Sequence, residues 1–213
     1  MNAGFSNLAT LKGHLLAAAL RTGTDYDAAI LNLGLGTAKA FANFCNRKFD
    51  RVVGATEILP ADQCQFLLSR YPIEAITAID LKFTEADGFV SQVINNFVTT
   101  IDLKSGIVNC PDGADAGPWS AQVRFTFNGG YWWEQLEPAD NGYPSQLPAG
   151  AASLEDDLKL AWLLQCEIIW KMRDKLGSDI GEGKAGRDYE LMKIDLAPQV
   201  KQMLGQYQRF NLT

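Results

Sequence analysis

The sequence is poor in the residues on which most metal and hydrolytic sites depend. His14 is the only histidine among 213 residues, which excludes a histidine metal cluster and a relay between two imidazoles. No serine lies in a GxSxG elbow, and no cysteine has a candidate base nearby in sequence. His14 itself lies on a short amphipathic segment, where we expect a surface or packing role. The sequence therefore predicts no catalytic residue, no metal site and no cofactor.

Paired cysteines, excess basic charge and long apolar runs are also missing. The cysteines are scattered without a CxxC pair, at positions 45, 64, 110 and 166, so we expect buried free thiols in a reducing compartment. There are 19 basic and 25 acidic residues, a balance that argues against wrapping DNA. No run is long enough to span a bilayer, and the first residues do not resemble a signal peptide. We expect an intracellular site of synthesis and no membrane partner.

A glycine-rich stretch at residues 181–186 matches the GxGxxG pattern of dinucleotide sites. That pattern binds a pyrophosphate only where it joins a strand to the start of a helix. Here it follows a long helical segment with no strand before it, and Lys184 is followed by Ala185 rather than by the hydroxyl residue of a phosphate loop. We interpret residues 177–188 as a mobile loop.

The strongest structural pattern runs from Val123 to Leu176. Apolar residues at 123, 125 and 127 alternate with polar ones, which predicts a strand that Gly129 and Gly130 end. A helix is predicted over residues 153–176, with Ser153 as its cap, acidic residues in its first turn and Gly177 at its end. Its apolar residues cover more than one stripe, so we expect a central helix packed on two sides. They are Leu158, Ala161, Trp162, Ile168, Ile169, Met172 and Leu176.

Three more helices are predicted at residues 8–20, 26–46 and 198–209 from apolar residues at helical spacing. We expect Leu158, Ala161, Ile168 and Met172 to face Ile30, Leu33, Phe41 and Phe44. Gly34 and Gly36 weaken the second helix locally, and we interpret them as a point where another helix approaches closely.

Between residues 50 and 130 the apolar spacing changes to period two, with a hairpin turn at residues 104–106. No helix separates the strands, so the sequence predicts an α+β fold, a bundle of about four helices with an inserted antiparallel β region. The candidate strands are Thr56–Leu59, Cys64–Leu68, Ile76–Phe83, Phe89–Ile94, Phe97–Leu103, Ile107–Cys110 and Ala121–Phe127.

Two groups of residues are candidates for binding. Tyr131, Trp132 and Trp133 form an aromatic cluster that would serve as a sugar platform if exposed. If buried, it would belong to the core or anchor a subunit interface, and this second interpretation is favoured. Carboxylates at 85–87 and 155–157 are candidates for the catalysis of hydrolysis, but a predicted turn and the start of a predicted helix explain them.

The second group is C-terminal and comprises Val200, Leu204, Tyr207, Arg209, Phe210 and Leu212. It carries more apolar surface than a solvated terminus needs, so it either packs back on its own domain or docks on a partner.

The order of short motifs resembles a known family. LATLKGHL is followed by NRKF at 46–49, YPI at 71–73, SGIV at 105–108, VRFTFNGGY, and LP and LK elements before an aromatic-rich helix. This order resembles the head–tail connector (adaptor, or head-completion) proteins of tailed bacteriophages, over residues 8–49 and 71–176. The sequence departs from the family where AGAASLEDD separates LP from LK, and in its long β region.

The resemblance implies a virion structural protein without enzyme activity. Such proteins form a ring, typically dodecameric, that docks under the portal protein, extends the DNA channel and presents a surface to a head-closure or tail protein. Residues 1–213 would then form a single connector domain, with a β-rich insertion at 50–135 and a mobile loop plus C-terminal docking helix at 177–213. The protein would be made in the host cytoplasm and end at the head–tail interface, with DNA passing through without sequence-specific binding. The alternative is a carbohydrate-binding or tail-surface module built on the aromatic cluster.

Overall fold

The computed structural model describes residues 8–61, 63–84, 86–94, 98, 100–110, 122–132, 147–178 and 195–209. The chain divides into two compact units. The helical unit comprises Met1–Arg47, Trp133–Ser145 and Leu154–Thr213, and the β unit comprises Lys48–Trp132 and Gln146–Ser153. Helices and antiparallel sheets confirm the predicted α+β class. Trp133, the glycine-rich stretch from 179 onward, Phe210 and Leu212 lie outside the described residues.

The described part of the helical unit holds four α-helices, at positions close to the predicted ones. Residues 18–20 and 205–207 form single 3₁₀ turns where the sequence predicts continuous helix. The helices are α1 (Leu8–Leu15), α2 (Asp27–Cys45), α3 (Asp156–Ser178) and α4 (Pro198–Leu204).

Helix α2 buries a stripe of small and aromatic side chains at helical spacing, namely Ile30, Gly34, Thr37, Phe41 and Cys45. The indole nitrogen of Trp162 on α3 donates a hydrogen bond to the Gly34 carbonyl over 3.0 Å. A carbonyl already bonded within its helix can accept this second bond only if the partner helix comes close, which a residue without a side chain allows. The close approach predicted for this part of the helix is confirmed at Gly34 but not at Gly36, where an added Cβ would have nothing within 4 Å.

The predicted interior face of α3 is wrong in two positions. Ile168 is only half-buried and Met172 is 43% exposed. The buried side chains instead form one stripe at spacings of three and four, comprising Leu158, Ala161, Trp162, Gln165, Cys166 and Trp170. Gln165 can occupy a core position because its amide oxygen accepts from the Ala197 nitrogen over 2.9 Å and its amide nitrogen donates to the Asp195 carbonyl over 3.3 Å.

Both predicted ends of α3 are also wrong. Ser153 does not cap the helix, because it belongs to a short strand, and the helix begins at Asp156. Gly177 does not end the helix, which continues to Ser178. The acidic first turn is confirmed by Asp156 and Asp157.

The β unit contains a four-stranded antiparallel sheet in the order β1-β7-β3-β4 and a three-stranded one in the order β2-β6-β5. A two-residue pair, β8 with β9, is parallel, which the prediction of an antiparallel region did not include. The strands are β1 (Val52–Pro60), β2 (Gln65–Leu67), β3 (Ile73–Lys82), β4 (Val90–Gln92), β5 (Thr100–Asp102), β6 (Ile107–Asn109), β7 (Gln122–Gly129), β8 (Tyr131–Trp132) and β9 (Ala152–Ser153).

The core of the β unit is built by the alternation of β7. Val123, Phe125 and Phe127 are at most 1% exposed, while the residues between them are half-buried. The Phe125 ring lies 5.2 Å from the ring of Phe66 on β2, so aromatic packing joins the two sheets. The alternation that predicted this strand thus also identifies its buried face.

Gly130 sets the sharp change of direction between β7 and β8. Its φ is +97°, a conformation that glycine adopts at little cost. An added Cβ would lie 2.6 Å from the Asp50 carbonyl carbon and 2.8 Å from the Arg51 Cα. The chain therefore requires glycine here both for its backbone angle and for space.

Candidate assembly surfaces and buried polar clusters

The two described residues of the aromatic cluster are buried inside the β unit. Tyr131 is 4% exposed and Trp132 is 8% exposed, on strand β8. The Tyr131 ring stacks on Phe49 at 6.4 Å between centroids, and its backbone nitrogen donates to the Phe49 carbonyl over 2.8 Å. A sugar platform needs an exposed ring face, so the sugar-binding interpretation is wrong for Tyr131 and Trp132. Trp133 is outside the described residues.

Three of the four described members of the C-terminal group lie in the interior of the helical unit. Val200 and Leu204 on α4 are fully buried, and Tyr207 in the following turn is 7% exposed. The Arg209 nitrogen donates to the Cys45 carbonyl at the end of α2 over 2.8 Å. This burial fits the alternative in which the segment packs back on its own domain, and it removes Val200, Leu204 and Tyr207 from any free docking face.

The Tyr207 hydroxyl lies between two carboxylates at the start of α3. It is 2.5 Å from Glu155 Oε2 and 2.6 Å from Asp157 Oδ1, and the Gln206 amide also donates to Asp157. Burial, followed by these two hydrogen bonds to acceptors, raises the pKa of Tyr207 well above its ordinary value. The arrangement fastens the C-terminal turn to the first turn of α3, a structural role for carboxylates that could otherwise be nominated for acid–base work.

In the β unit, buried polar groups are instead joined as ion pairs. Arg51 on the approach to β1 meets Glu74 on β3 through two bonds of 2.5 and 2.9 Å, and both side chains are at most 9% exposed. Arg124 on β7 meets Asp80 on β3 over 2.8 Å. Bidentate pairing fixes the relative position of the Arg51 and Glu74 side chains and joins the segment before β1 to β3, on the other side of β7. Arg124 and Asp80 join the adjacent strands β7 and β3.

The other titratable groups singled out in the sequence also have structural roles. His14 lies 3.0 Å from Glu167 and is about one-third exposed, which confirms a surface position. Asp87 accepts from the Thr84 nitrogen and hydroxyl over 3.0 and 2.8 Å, which confirms the predicted turn. Across the described ranges, no three histidine, cysteine or carboxylate side chains are grouped as a metal site would require.

The cysteines differ from the expectation. Cys45 and Cys166 are buried in the helical unit as predicted, and burial raises the pKa of each to about 12. Cys64 is exposed and Cys110 is half-buried, and the two are neighbours across β2 and β6. Their proximity depends on strand register, which no local pattern in the sequence specifies.

Exposed apolar side chains lie on both units. On β1, an edge strand of the larger sheet, Val53 is 64% exposed and Ile58 is 50% exposed. On the helical unit, Leu160 and Met172 of α3 are 57% and 43% exposed. These side chains are available for contacts with other chains. No helix in the described part of the chain is long and apolar enough to cross a membrane.

Comparison with known proteins identifies the fold. No family model and no curated protein matches the sequence. Among solved structures, the chain is similar over 99% of its length to a chain in the neck of an empty gene transfer agent (GTA) particle computed with C6 symmetry, with a TM-score of 0.56 and 14% identity, covering 93% of that chain. It is similar over the same share to a chain of the virion of the native gene transfer agent particle, with a TM-score of 0.54 and 14% identity.

A third similarity is to a chain in the neck of the native particle computed with C12 symmetry. The TM-score is 0.50 with 14% identity, covering 97% of this chain and 90% of the other. At such identity the likeness establishes a shared fold. The fold is therefore one found in the neck of phage-like particles, and it extends over both units.

Proposed function

We propose that this protein is a structural component of the neck of a tailed-phage-like particle, acting as a head–tail connector without enzyme activity. The observation that carries the proposal is the extent of the fold likeness. It covers 99% of this chain and 93% of a neck chain, so the helical unit, the β unit and their order in the sequence are all matched. A shared single module would leave one unit unmatched.

In this role, copies of the chain form a ring under the portal protein and present a surface to a head-closure or tail protein. The symmetry of the similar necks, C6 and C12, supports a ring, and a dodecamer is the expected form. A net charge of −6 suits a channel that DNA passes without being retained, because like charges repel the phosphate backbone.

The burial of Val200, Leu204 and Tyr207 narrows the proposed portal contact. We place it in residues 209–213, where Arg209, Phe210 and Leu212 supply one charge and two apolar side chains. An apolar anchor with a charged neighbour is a common composition for the centre and rim of an interface. Deleting residues 206–213 would remove the buried Tyr207 and destabilise the fold, so it cannot test docking.

A chain that ends at Arg209 tests the contact without disturbing Tyr207. The variant and the full chain are each mixed with the portal ring of the same particle, and bound copies are counted by native mass spectrometry. We expect the full chain to bind in a number that matches the ring, and the variant to keep its melting temperature but bind about tenfold more weakly or worse.

A chain that ends at Leu212, lacking only the terminal threonine, is the matched control and should bind like the full chain. Binding of the Arg209-ended variant at full occupancy would show that the portal contact lies elsewhere in the chain. Failure of the full chain to bind the portal ring at all would contradict the connector role.

A further inference from the structure

Cys64 and Cys110 face each other across the antiparallel strands β2 and β6. The register pairs Gln65 with Asn109, so the next pair outward is Cys64 with Cys110. The Cys110 nitrogen donates to the Cys64 carbonyl over 2.8 Å, which confirms that pairing continues to this position. The two cysteines are far apart in sequence and adjacent in the fold.

Strand alternation places both thiols on the same side of the sheet. Side chains two residues apart on a strand share a face, so Cys64 lies on the face of Phe66 and Cys110 on that of Val108, the core-facing side. On the opposite face, the Gln65 amide donates to the Asn109 amide oxygen over 2.8 Å. Directly opposed side chains therefore meet across this end of the sheet.

The spacing of such a pair suits a disulfide. Opposed residues that share backbone hydrogen bonds have Cα atoms about 5.5 Å apart, within the range of about 4.4–6.8 Å that a disulfide spans. The other two thiols are buried in the helical unit, where Cys166 contacts the Thr37 hydroxyl over 3.5 Å. Cys64 is the exposed thiol of the four.

We propose that Cys64 and Cys110 form an oxidation site that closes into an intramolecular cross-strand disulfide when the protein meets a small disulfide such as oxidised glutathione. The inference rests on the register of β2 and β6 and is independent of the role in a particle neck. The closed loop contains strands β2 to β6, so the disulfide would tie the start of β2 to the end of β6 and stabilise the β unit.

The reaction proceeds by two exchanges. The Cys64 thiol loses its proton to solvent, its sulfur attacks one sulfur of oxidised glutathione, and the released glutathione thiolate takes up a proton. The Cys110 sulfur, after losing its proton, displaces the second glutathione from Cys64. Two protein thiols and one oxidised glutathione give one protein disulfide and two reduced glutathiones. Burial, with a further contribution from Cys64, raises the pKa of Cys110 to about 11, so Cys64 reacts first.

The test treats the folded protein with oxidised glutathione and measures intact mass, free thiols and cross-linked peptides. We expect a loss of two hydrogen atoms, a fall from four thiols to two, and a peptide joining Cys64 to Cys110. The melting temperature should rise by roughly 5 °C and return on reduction.

Two variants identify the order of events. Cys110→Ser should stop at one glutathione on Cys64, and Cys64→Ser should remain unmodified in the folded state. The ratio of disulfide to dithiol at a fixed glutathione ratio should be on the order of 100-fold higher in the folded protein than in urea, because the fold holds the thiols together.

Other products would overturn the proposal. A stable glutathione adduct on Cys64 in the unmutated protein would show that Cys110 cannot reach it. A disulfide between two chains, or one that includes Cys45 or Cys166, would show that the strand register does not direct the pairing. Equal ratios of disulfide to dithiol in folded and urea-treated protein would contradict the proposal as well.

Discussion

The helical unit and the β unit solve the same problem, the burial of polar side chains, in different ways. In the helical unit, Trp162 and Gln165 bond to backbone groups of neighbouring segments over 2.9–3.3 Å. In the β unit, the buried Arg51 pairs with Glu74, and the buried Asp80 pairs with the half-buried Arg124. The backbone N–H and C=O groups of a helix form hydrogen bonds within the helix. Neutral side chains are therefore available to join one element to the next.

The difference predicts separate sensitivities for the two units. The stability that a neutral side chain contributes through a bond to backbone changes little when charges are screened or altered. Removing one charge of a buried ion pair, in contrast, destabilises the protein strongly. We therefore expect the stability of the β unit to fall on charge substitutions and backbone strain, and that of the helical unit to fall on loss of side-chain volume.

The largest effect is expected from Gly130→Ala in the β unit. The substitution imposes an L side chain on a φ of +97° and places its Cβ against the backbone of Asp50 and Arg51. We expect a loss of about 5 kcal/mol, or no cooperative unfolding, measured by urea denaturation. Gly54→Ala is the matched control, because Gly54 has a φ of +68° and nothing within 4 Å of its added Cβ, and it should cost only about 1 kcal/mol. Equal losses would show that the space around Gly130 does not matter.

Next in size is Trp162→Ala in the helical unit. Trp162 is fully buried and bonded to Gly34, so its removal should cost about 3–5 kcal/mol. Met172→Ala on the same helix, at a side chain 43% exposed, is the control and should cost well under about 1 kcal/mol. Thermal unfolding followed by circular dichroism measures both. A loss of stability larger than this for Met172→Ala would support the interior face of α3 that was predicted from the sequence.

A slightly smaller effect is expected from Glu74→Gln, which removes the charge opposite Arg51 while keeping the shape of the side chain. Both partners are at most 9% exposed, so the loss should be about 3 kcal/mol. Asp195→Asn is the control, because the Asp195 carboxylate that pairs with Lys201 is 80% exposed and exposed pairs contribute little to stability. Comparable losses from the two variants in chemical denaturation would contradict the ionic character assigned to the β unit.

The smallest effect concerns alkaline pH and Tyr207. Since folding raises the pKa of Tyr207, its stabilisation is complete below the unfolded value of about 10 and declines as pH rises above it. Tyr207→Phe should lower the melting temperature at pH 8 through the lost hydrogen bonds, by about 1–2 kcal/mol in free energy. This difference should shrink above pH 10.

Tyr26→Phe, at a side chain 41% exposed, is the control for the tyrosine substitution and should change the melting temperature little at any of these pH values. A deficit of Tyr207→Phe that stays constant up to pH 11 would show that folding does not raise the pKa of Tyr207.

Local sequence patterns were sufficient to predict where the helices and strands lie. They were insufficient to predict which side chains contact one another. The alternation at Val123, Phe125 and Phe127 predicted both strand β7 and its buried face, and apolar spacing placed all four described helices within a few residues. The burial of Gln165 was not predicted, because it depends on backbone groups at Asp195 and Ala197. A polar residue is compatible with a core only when a distant partner is present, which spacing alone does not reveal.

The candidate site was harder to predict for the same reason. Burial of Tyr207 depends on two carboxylates about fifty residues earlier in the chain, and the meeting of Cys64 with Cys110 depends on the register of two strands. The order of motifs did indicate the class of protein, because the order of elements persists in a fold even where few individual residues do.

The most direct test of the proposed role is electron cryomicroscopy of the particle neck at a resolution that traces side chains. We expect a ring of copies of this chain directly below the portal, with both units ordered and residues 209–213 against portal subunits. Density below the portal that a different chain fits, with this protein absent from the neck or present elsewhere in the virion, would contradict it.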